Sequence, residues 1–316
     1  MKQIQFPPVI GLFVGILAVS TASILIRLAQ REAPSYVIAA GRLTLAALIL
    51  LPFAMRNLKN EVRKISRKNV LLLGLAGLFL GLHFATWITS LEYTSVASSV
   101  VIVTTAPLWV ALFSPIFLKE KISRWIIIGL GVSLVGSVIV GLNSACAFTS
   151  GRVTCQPVFT MGSSAMVSGN LLALAGAVLS AGYLMIGRRV RNSLNLVSYT
   201  FVVYATAALV LIGLVVATGE TFLGYSNTTY LILLSLAIVP QLIGHTSFNW
   251  ALKYLSAALV SIALLGEPIG TVLLSFTFLK EVPTVFEIVG GVLILAGIFI
   301  ASRKQPESPE LISPVG

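Results

Sequence analysis

The feature that most constrains this chain is a series of long apolar segments along its whole length. A membrane-spanning α-helix needs about 20 predominantly apolar residues. Hydrophobic residues make up 57% of the chain and charged residues only 10%, whereas soluble domains average about 25% charged residues. The sequence therefore predicts an all-α membrane protein with ten transmembrane helices. The predicted spans are 8–28, 36–55, 70–90, 95–117, 124–142, 168–187, 197–217, 229–250, 256–279 and 284–302.

The net charge of +11 does not indicate a nucleic-acid partner. The basic residues lie in short clusters between apolar segments, and such clusters set the orientation of membrane proteins. A GxxxxGK[ST] nucleotide-binding loop is absent from the sequence, as are HExxH, CxxC and GxSxG motifs. We therefore expect no cofactor and no ATP-driven mechanism.

The Lys and Arg residues are distributed unequally between the two sides of the predicted membrane. Sixteen fall on one side and four on the other, while Arg42 lies inside a span. Because cytoplasmic loops carry the excess of Lys and Arg, we expect a multi-pass protein of the plasma (inner) membrane with both termini in the cytoplasm. The loop 143–167 then faces outside, where Cys146 and Cys155 form either a disulfide or two free thiols.

An internal repeat divides the chain. An offset of 161 residues aligns 93–141 with 254–302 without a gap, and 15 of these 49 positions are identical. Each copy holds five spans, and because five is odd the second copy enters the membrane upside down. Inverted-topology repeats are typical of secondary transporters, whose substrate site lies near the membrane midplane between the halves. We predict two inverted-topology five-helix repeats, at 1–142 and 168–302, an external linker at 143–167 and a disordered cytoplasmic tail at 303–316.

Several blocks of sequence resemble the EamA-type branch of the drug/metabolite transporter superfamily. They are WITSLEYT at 87–94, Pro107, FLKE at 117–120 and again at 278–281, NWAL at 249–252, Glu267–Pro268 and Arg42 in span 2. The resemblance covers nearly the whole chain, although Gly266 stands where relatives often have a bulkier apolar residue. It implies a ten-helix carrier that moves small organic solutes, often outward.

Pro107 and Pro268 occupy equivalent positions inside spans 4 and 9. A proline within a helix frees the carbonyl four residues earlier, and in lipid that carbonyl needs a polar partner. The pair predicts either a shared central cavity or kinks that only shape packing. Around these prolines, Thr104, Thr105 and Trp109 are predicted to line one wall of the cavity.

Glu267 is the only carboxylate well inside an apolar span. A charge at this depth costs about 3 kcal/mol or more, so such residues usually face the protein interior and have a function. Glu267 either titrates a proton, binds a substrate amine or has a structural role. Arg42 either pairs with a substrate carboxylate or with Glu267, or it extends to the outer headgroups.

His83 and His245 lie within spans 3 and 8, and either titrate during transport or are packing residues. Asn249 and Gln241 are neutral hydrogen-bonding candidates, and Trp87 is either a substrate wall or an interfacial residue. Arg27 and Arg188, which are repeat partners, are interpreted as anchors at helix ends.

Three functions fit these residues. The first is a monomeric secondary transporter that exports small organic metabolites, either amino-acid-like or drug-like, by alternating access in the lipid bilayer, with protons as the coupling ion. The second is an intramembrane enzyme that uses Glu267 with His83 or His245. The third is a non-transporting membrane scaffold. The inverted repeat favours the transporter, since neither alternative explains it; we expect no enzyme.

Overall fold

The protein is described by a computed structural model that covers residues 7–94, 99, 102–142, 146–149, 152–155, 164–191, 194–274, 276–277 and 283–303. Helices dominate these residues. Their bounds are α1 Pro8–Val19, α2 Ala22–Ala29, α3 Ser35–Ala54, α4 Leu58–Val62, α5 Arg67–Tyr93, α6 Ala106–Phe117, α7 Arg124–Leu142, α8 Ser164–Val190, α9 Leu196–Thr218, α10 Asn227–Leu236, α11 Thr246–Ala251, α12 Ala257–Leu264, α13 Glu267–Leu274 and α14 Val285–Ser302. A π-helical segment, Ala237–His245, joins α10 to α11.

Eight helices in the described part of the chain are long and apolar enough to cross a membrane, which identifies an integral multi-pass membrane protein. Two further apolar helices, Ala106–Phe117 and Arg124–Val140, are shorter and fall in the predicted spans 4 and 5. The count of ten spans therefore stays a prediction. The eight long helices are Pro8–Ala29, Ser35–Ala54, Arg67–Tyr93, Ala165–Val190, Leu196–Thr218, Asn227–Ala251, Ala257–Leu274 and Val285–Ser302.

Side chains at the helix starts explain several of these bounds. Ser66, Asn195 and Ser226 each accept a hydrogen bond from the backbone N–H three residues later, which satisfies one of the free donors of a first turn. Thr284 and Glu287 form a reciprocal capping box at the start of α14, the arrangement that their T-x-x-E spacing indicates.

The two prolines at equivalent repeat positions lie just after breaks in their spans rather than inside continuous helices. A turn at Thr104 and Thr105 precedes α6, and a turn at Leu265 and Gly266 precedes α13. Pro107 and Pro268 thus occupy the first helical turn, where the missing N–H needs no partner and the fixed φ suits a helix start. Each proline therefore begins the second helical segment of a broken span.

The first span is broken as well, and its break packs against the start of α13. Ser20 ends α1, and its Oγ donates to the carbonyl oxygen of Glu267 at 2.9 Å. Thr271 Oγ1 donates in return to the Ser20 carbonyl at 3.0 Å. These bonds satisfy backbone groups that the two breaks expose, which membrane proteins require of irregular backbone.

Helices α7 and α14, which are the last spans of the two predicted repeats, cross in close contact. A side chain at Gly129 would collide with the carbonyl oxygen of Gly297, and one at Gly136 would collide with that of Gly290. At the repeat offset of 161 residues, Gly129 pairs with Gly290 and Gly136 with Gly297. Gly129 thus contacts the repeat partner of Gly136, and Gly136 contacts the repeat partner of Gly129. Such reciprocal contacts are the pattern that a two-fold axis produces.

The linker contains a short β-hairpin, which the all-α prediction omitted. Strand β1, Cys146–Thr149, pairs antiparallel with β2, Arg152–Cys155. Their register sets the backbone of Cys146 opposite that of Cys155. The side chains of both cysteines lie outside the described part of the structure, so the disulfide stays a prediction, as does the tail beyond Arg303.

Candidate functional site

A cavity of about 80 Å³ lies between helices of the two sequence halves. Because one water molecule needs about 10–15 Å³ by this measure, the cavity has room for a handful of waters or one small solute. Six of the predicted site residues line it: Arg42, His83, Thr104, Pro107, His245 and Glu267. The sequence places these residues up to 225 positions apart, from Arg42 to Glu267.

Arg42 on α3 is fully buried, with none of its surface exposed. Its Nε donates a 2.8 Å hydrogen bond to Oε1 of Gln241 in the π-helical segment. Its guanidinium carbon lies 4.3 Å from the centroid of the Phe84 ring, which is a cation–π contact. The alternative that Arg42 extends to the lipid headgroups is therefore wrong: Arg42 belongs to the interior.

The two histidines flank Phe84 on different elements. His83 Nδ1 lies 2.8 Å from the carbonyl oxygen of Gly176, so the position of that ring is fixed by α8. The His83 ring stacks on Trp87 with the centroids 5.9 Å apart. His245 meets the Phe84 ring edge-on at a centroid distance of 5.3 Å.

Glu267 is the first residue of α13, directly after the break in span 9. Its carbonyl oxygen accepts from Ser20 Oγ and Thr271 Oγ1. Its side chain lines the cavity together with Arg42. Among the described residues, the only Lys or Arg within ion-pair distance of a carboxylate is Arg188 beside Glu120, so Glu267 and Arg42 share a cavity without an ion pair between them.

Four predicted site residues are not part of the cavity wall. Thr105 Oγ1 donates to the Ile102 carbonyl and accepts from Trp109 Nε1 at 3.3 Å. Pro268 follows Glu267 in the first turn of α13. Asn249 accepts a 2.5 Å hydrogen bond from the Tyr183 hydroxyl, inside a buried polar cluster with Tyr204.

Other lining residues were not among the predicted site residues. Trp87 carried a signal in the sequence as an aromatic residue late in span 3, and the structure sets it against the cavity with its indole nitrogen buried. Ser180, Ser261 and Leu264 also line the cavity. Serine in a membrane helix gives little signal because it usually bonds its own backbone, as Ser261 does to Ala258.

A second polar cluster joins three helix ends outside the cavity. Arg188 Nε lies 2.8 Å from Glu120 Oε1, and its Nη1 donates to the carbonyl oxygens of Leu252 and Lys253. Arg188 is only 7% exposed. The interpretation of Arg188 as a lipid-interface anchor is therefore wrong, since its guanidinium is committed to protein partners.

The residues that the structure describes contain no group of three or more His, Cys, Asp or Glu side chains that could hold a metal ion. The ionisable side chains that line the cavity are one guanidinium, one carboxyl and two imidazoles among the described residues.

One family of known proteins matches this chain in two successive segments. The sequence model of the EamA-like transporter family matches residues 7–142 and 167–303. A Bacillus subtilis (strain 168) protein named "Uncharacterized transporter YyaM" is 26% identical over 270 residues, which cover 84% of this chain and 83% of that protein. A Clostridium kluyveri protein named "Uncharacterized transporter" is 26% identical over 269 residues, with 84% and 83% covered.

One solved crystal structure has a similar fold. It superposes with a TM-score of 0.71 at 19% sequence identity, and the match covers 93% of this chain and 96% of the chain in that structure. At this identity the likeness concerns the fold alone.

Proposed function

The chain belongs to the EamA-like transporter family, and we propose that it is a secondary carrier that exports small organic metabolites by alternating access. Its apolar helices make it an integral multi-pass membrane protein, and its named relatives point to a transporter rather than an enzyme. The substrate, the direction, the coupling ion and the mechanism belong to the proposal.

The observation that carries the proposal is the cavity in which Arg42, His83, His245 and Glu267 converge. Ionisable side chains within apolar spans are costly and usually mark substrate or ion pathways. Arg42 and His83 come from the first predicted repeat, and His245 and Glu267 from the second. A site shared between two halves is what alternating access requires, because each state exposes it to one side.

The crossing of α7 and α14 supports the inverted repeat. The Ser133 hydroxyl donates to the Ile294 carbonyl at 3.3 Å, and these two residues are themselves partners at the offset of 161. Repeat partners that touch each other lie beside the axis that relates the two copies. Two such copies permit two states of similar energy, one open to each side of the membrane.

Orientation follows from the charge distribution. Sixteen Lys and Arg residues on the side of both termini, against four on the other, support cytoplasmic termini in the plasma (inner) membrane. The carrier is proposed to act as a monomer, a proposal supported by the cavity that residues from both halves of one chain line.

The proposed coupling ion is the proton, and Glu267 is the group that carries it. Coupling requires a site whose affinity for the ion differs between the two states. Glu267 fits this role because its carboxyl lines the cavity and follows the break in span 9, so a movement of either half changes its surroundings.

The test uses purified protein in proteoliposomes. Metabolites that raise the melting temperature Tm of the detergent-solubilised protein are radiolabelled, then measured for exchange and for accumulation driven by a pH gradient. In Glu267→Gln we expect exchange to persist and proton-driven accumulation to vanish, because Gln keeps the shape of Glu but cannot titrate. Lys64→Gln, a change to glutamine at an exposed position between α4 and α5, is the control and should behave as wild type.

Each other outcome has a distinct meaning. Wild-type accumulation by Glu267→Gln would show that this residue is structural. Loss of both activities in a folded variant would assign substrate binding to it. Chemical conversion of a bound metabolite, without transport, would favour the intramembrane enzyme, and absence of transport for every stabilising metabolite would contradict the carrier.

A further inference from the structure

The guanidinium of Arg42 is buried, and four of its five N–H donors have no hydrogen-bond partner among the described residues. Its Nε is bonded to Gln241, but Nη1 and Nη2 have no hydrogen-bond partner among the described residues. Buried polar groups in proteins are almost always paired, and a buried charge without a partner is among the most costly arrangements known. The free edge of Arg42 therefore calls for an explanation.

Glu267 does not provide that partner. It lines the same cavity, yet within the described part of the chain no ion pair joins it to Arg42. Gln241 occupies the Nε edge, and Phe84 covers one face of the guanidinium plane. What is left is the outer edge, with two nitrogens side by side.

Two adjacent N–H donors in one plane match the two oxygens of a carboxylate, which is the bidentate geometry that distinguishes Arg from Lys. Gln241 and Phe84 hold this edge in place before any ligand arrives, so little orientation is lost on binding. We propose that the cavity binds a small organic carboxylate, whose oxygens accept hydrogen bonds from Arg42 Nη1 and Nη2. This inference rests on the proposed function, since the bound carboxylate is taken to be the transported solute.

The rest of the wall fits the body of such a molecule. Trp87, Val103, Leu264 and Leu265 line the cavity with apolar surface, which suits a short hydrocarbon chain. The indole Nε1 of Trp87 is buried and also unpartnered among the described residues, so it supplies one further donor. The volume of about 80 Å³ limits the solute to a few heavy atoms in this state.

The test compares carboxylates with amides of the same shape on the full chain. Propionate and L-alanine are the carboxylate probes, and propionamide and L-alaninamide are their isosteric counterparts without the negative charge. Inorganic phosphate is a third probe, for an oxyanion of another shape. The measurement is the concentration dependence of Tm for purified protein in detergent.

We expect both carboxylates, but neither amide, to raise the Tm of the wild type. In Arg42→Lys, which keeps the charge and loses the planar fork, the apparent affinity should fall at least tenfold. Arg56→Gln, an exposed change of a basic residue, should bind as the wild type does. If Arg42→Lys does not fold, Gln241→Leu serves in its place, because it removes the bond that orients the guanidinium.

The inference is overturned if the amides stabilise as well as the carboxylates, if Arg42→Lys keeps wild-type affinity, if phosphate alone binds, or if no carboxylate shifts Tm. Transport is measured separately in proteoliposomes. Binding of propionate without its transport would contradict the carrier and leave the carboxylate site standing. Transport of an uncharged solute that Arg42→Lys does not impair would support the carrier and contradict the carboxylate site.

Discussion

At the scale of single residues, two buried arginines of this protein, Arg188 and Arg42, differ in how many of their donors are bonded to other protein groups. Arg188 is buried and has a carboxylate and two carbonyl oxygens around it. Arg42 is buried, and two of its nitrogens have no hydrogen-bond partner in the described part of the chain. A satisfied cluster stabilises one arrangement of helices, whereas an unsatisfied group lining a cavity is ready for a ligand.

Glu32 gives a residue-scale prediction about pH. Its carboxylate accepts from the backbone N–H of Ser226 at 3.0 Å and from Thr229 Oγ1 at 2.8 Å, and these bonds lower its pKa below the ordinary value. A lowered pKa means that the stabilising effect is present above the unfolded-state pKa and is lost as pH falls through the folded-state pKa.

We therefore expect Glu32→Gln to lower Tm near neutral pH and to differ less from wild type as the medium is acidified below the usual glutamate range. Thermal unfolding of both proteins across that range, in one detergent, measures the difference. A constant gap between the two curves at every pH would contradict a role for the charge.

At the scale of elements, the crossing of α7 and α14 depends on residues without side chains. The backbones approach so closely at Gly129 and Gly136 that an added side chain would collide with carbonyl oxygen and backbone nitrogen atoms as well as with side-chain carbons of Ala301 and Ile294. The backbone atoms cannot move aside as a flexible side chain can. Close approach of this kind is the usual role of small residues between membrane helices. Gly131 lies on the same helix with open space around it.

These three glycines allow a matched comparison. Gly129→Val should separate the helices and cost about 1–3 kcal/mol, the range typical of overpacked sites. Gly131→Val makes the same chemical change where nothing lies within 4 Å, and it should leave stability nearly unchanged. Thermal unfolding of both variants is the measurement; equal effects would mean that the crossing is not tightly packed.

The Arg188 cluster gives a second prediction at this scale. Arg188 ties the end of α8 to Glu120 and to the carbonyls after α11. Arg27, its repeat partner, is exposed, and its side chain forms no hydrogen bond or ion pair among the described residues. The two repeat-equivalent arginines thus differ in their contacts, since Arg188 is bound to protein groups and Arg27 is exposed.

If the two arginines close opposite ends in turn, their substitutions should have opposite effects. Arg188→Gln should raise the reactivity of a cysteine placed at Ser180, a cavity residue, toward a polar thiol reagent added at the Arg188 side. Arg27→Gln should lower it, because Arg27 is expected to hold the other state. The experiment uses a protein in which both native cysteines are replaced by serine. If both substitutions raise, or both lower, the reactivity of the introduced cysteine, the two arginines do not close opposite ends in turn.

At the scale of the whole molecule, the two halves share one cavity and one tight crossing. Arg42 and His83 line the cavity together with His245 and Glu267, and α7 meets α14 in the tight crossing. Opposite orientation of the halves in the membrane would make these contacts part of an alternating-access carrier.

Topology is the prediction that belongs to this scale. A single cysteine at Lys64 should react only with reagent on the cytoplasmic side, and one at Leu223, between α9 and α10, only with reagent outside. The charge distribution between the two sides is the reason. External labelling at Lys64 would overturn the orientation and the inverted repeat together.

The sequence by itself determined the class of this protein. Long apolar segments dictate membrane helices because lipid cannot satisfy exposed backbone groups. The internal repeat at an offset of 161 residues, with its recurring FLKE block, indicates the family. The ionisable residues within the spans could be identified from the sequence for the same reason. Arg42, His83, His245 and Glu267 interrupt apolar segments, whatever their positions in the folded protein.

Only the tertiary structure decided how those residues meet. It set six of the predicted residues around one cavity and left Thr105, Trp109, Pro268 and Asn249 out of its wall. Hydropathy could not separate the two groups, because the direction of a side chain depends on where a helix breaks and on what packs beside it. The bonds from Arg42 to Gln241 and from Arg188 to Glu120 join residues 199 and 68 positions apart, and such partners are fixed by helix packing, which no local pattern encodes.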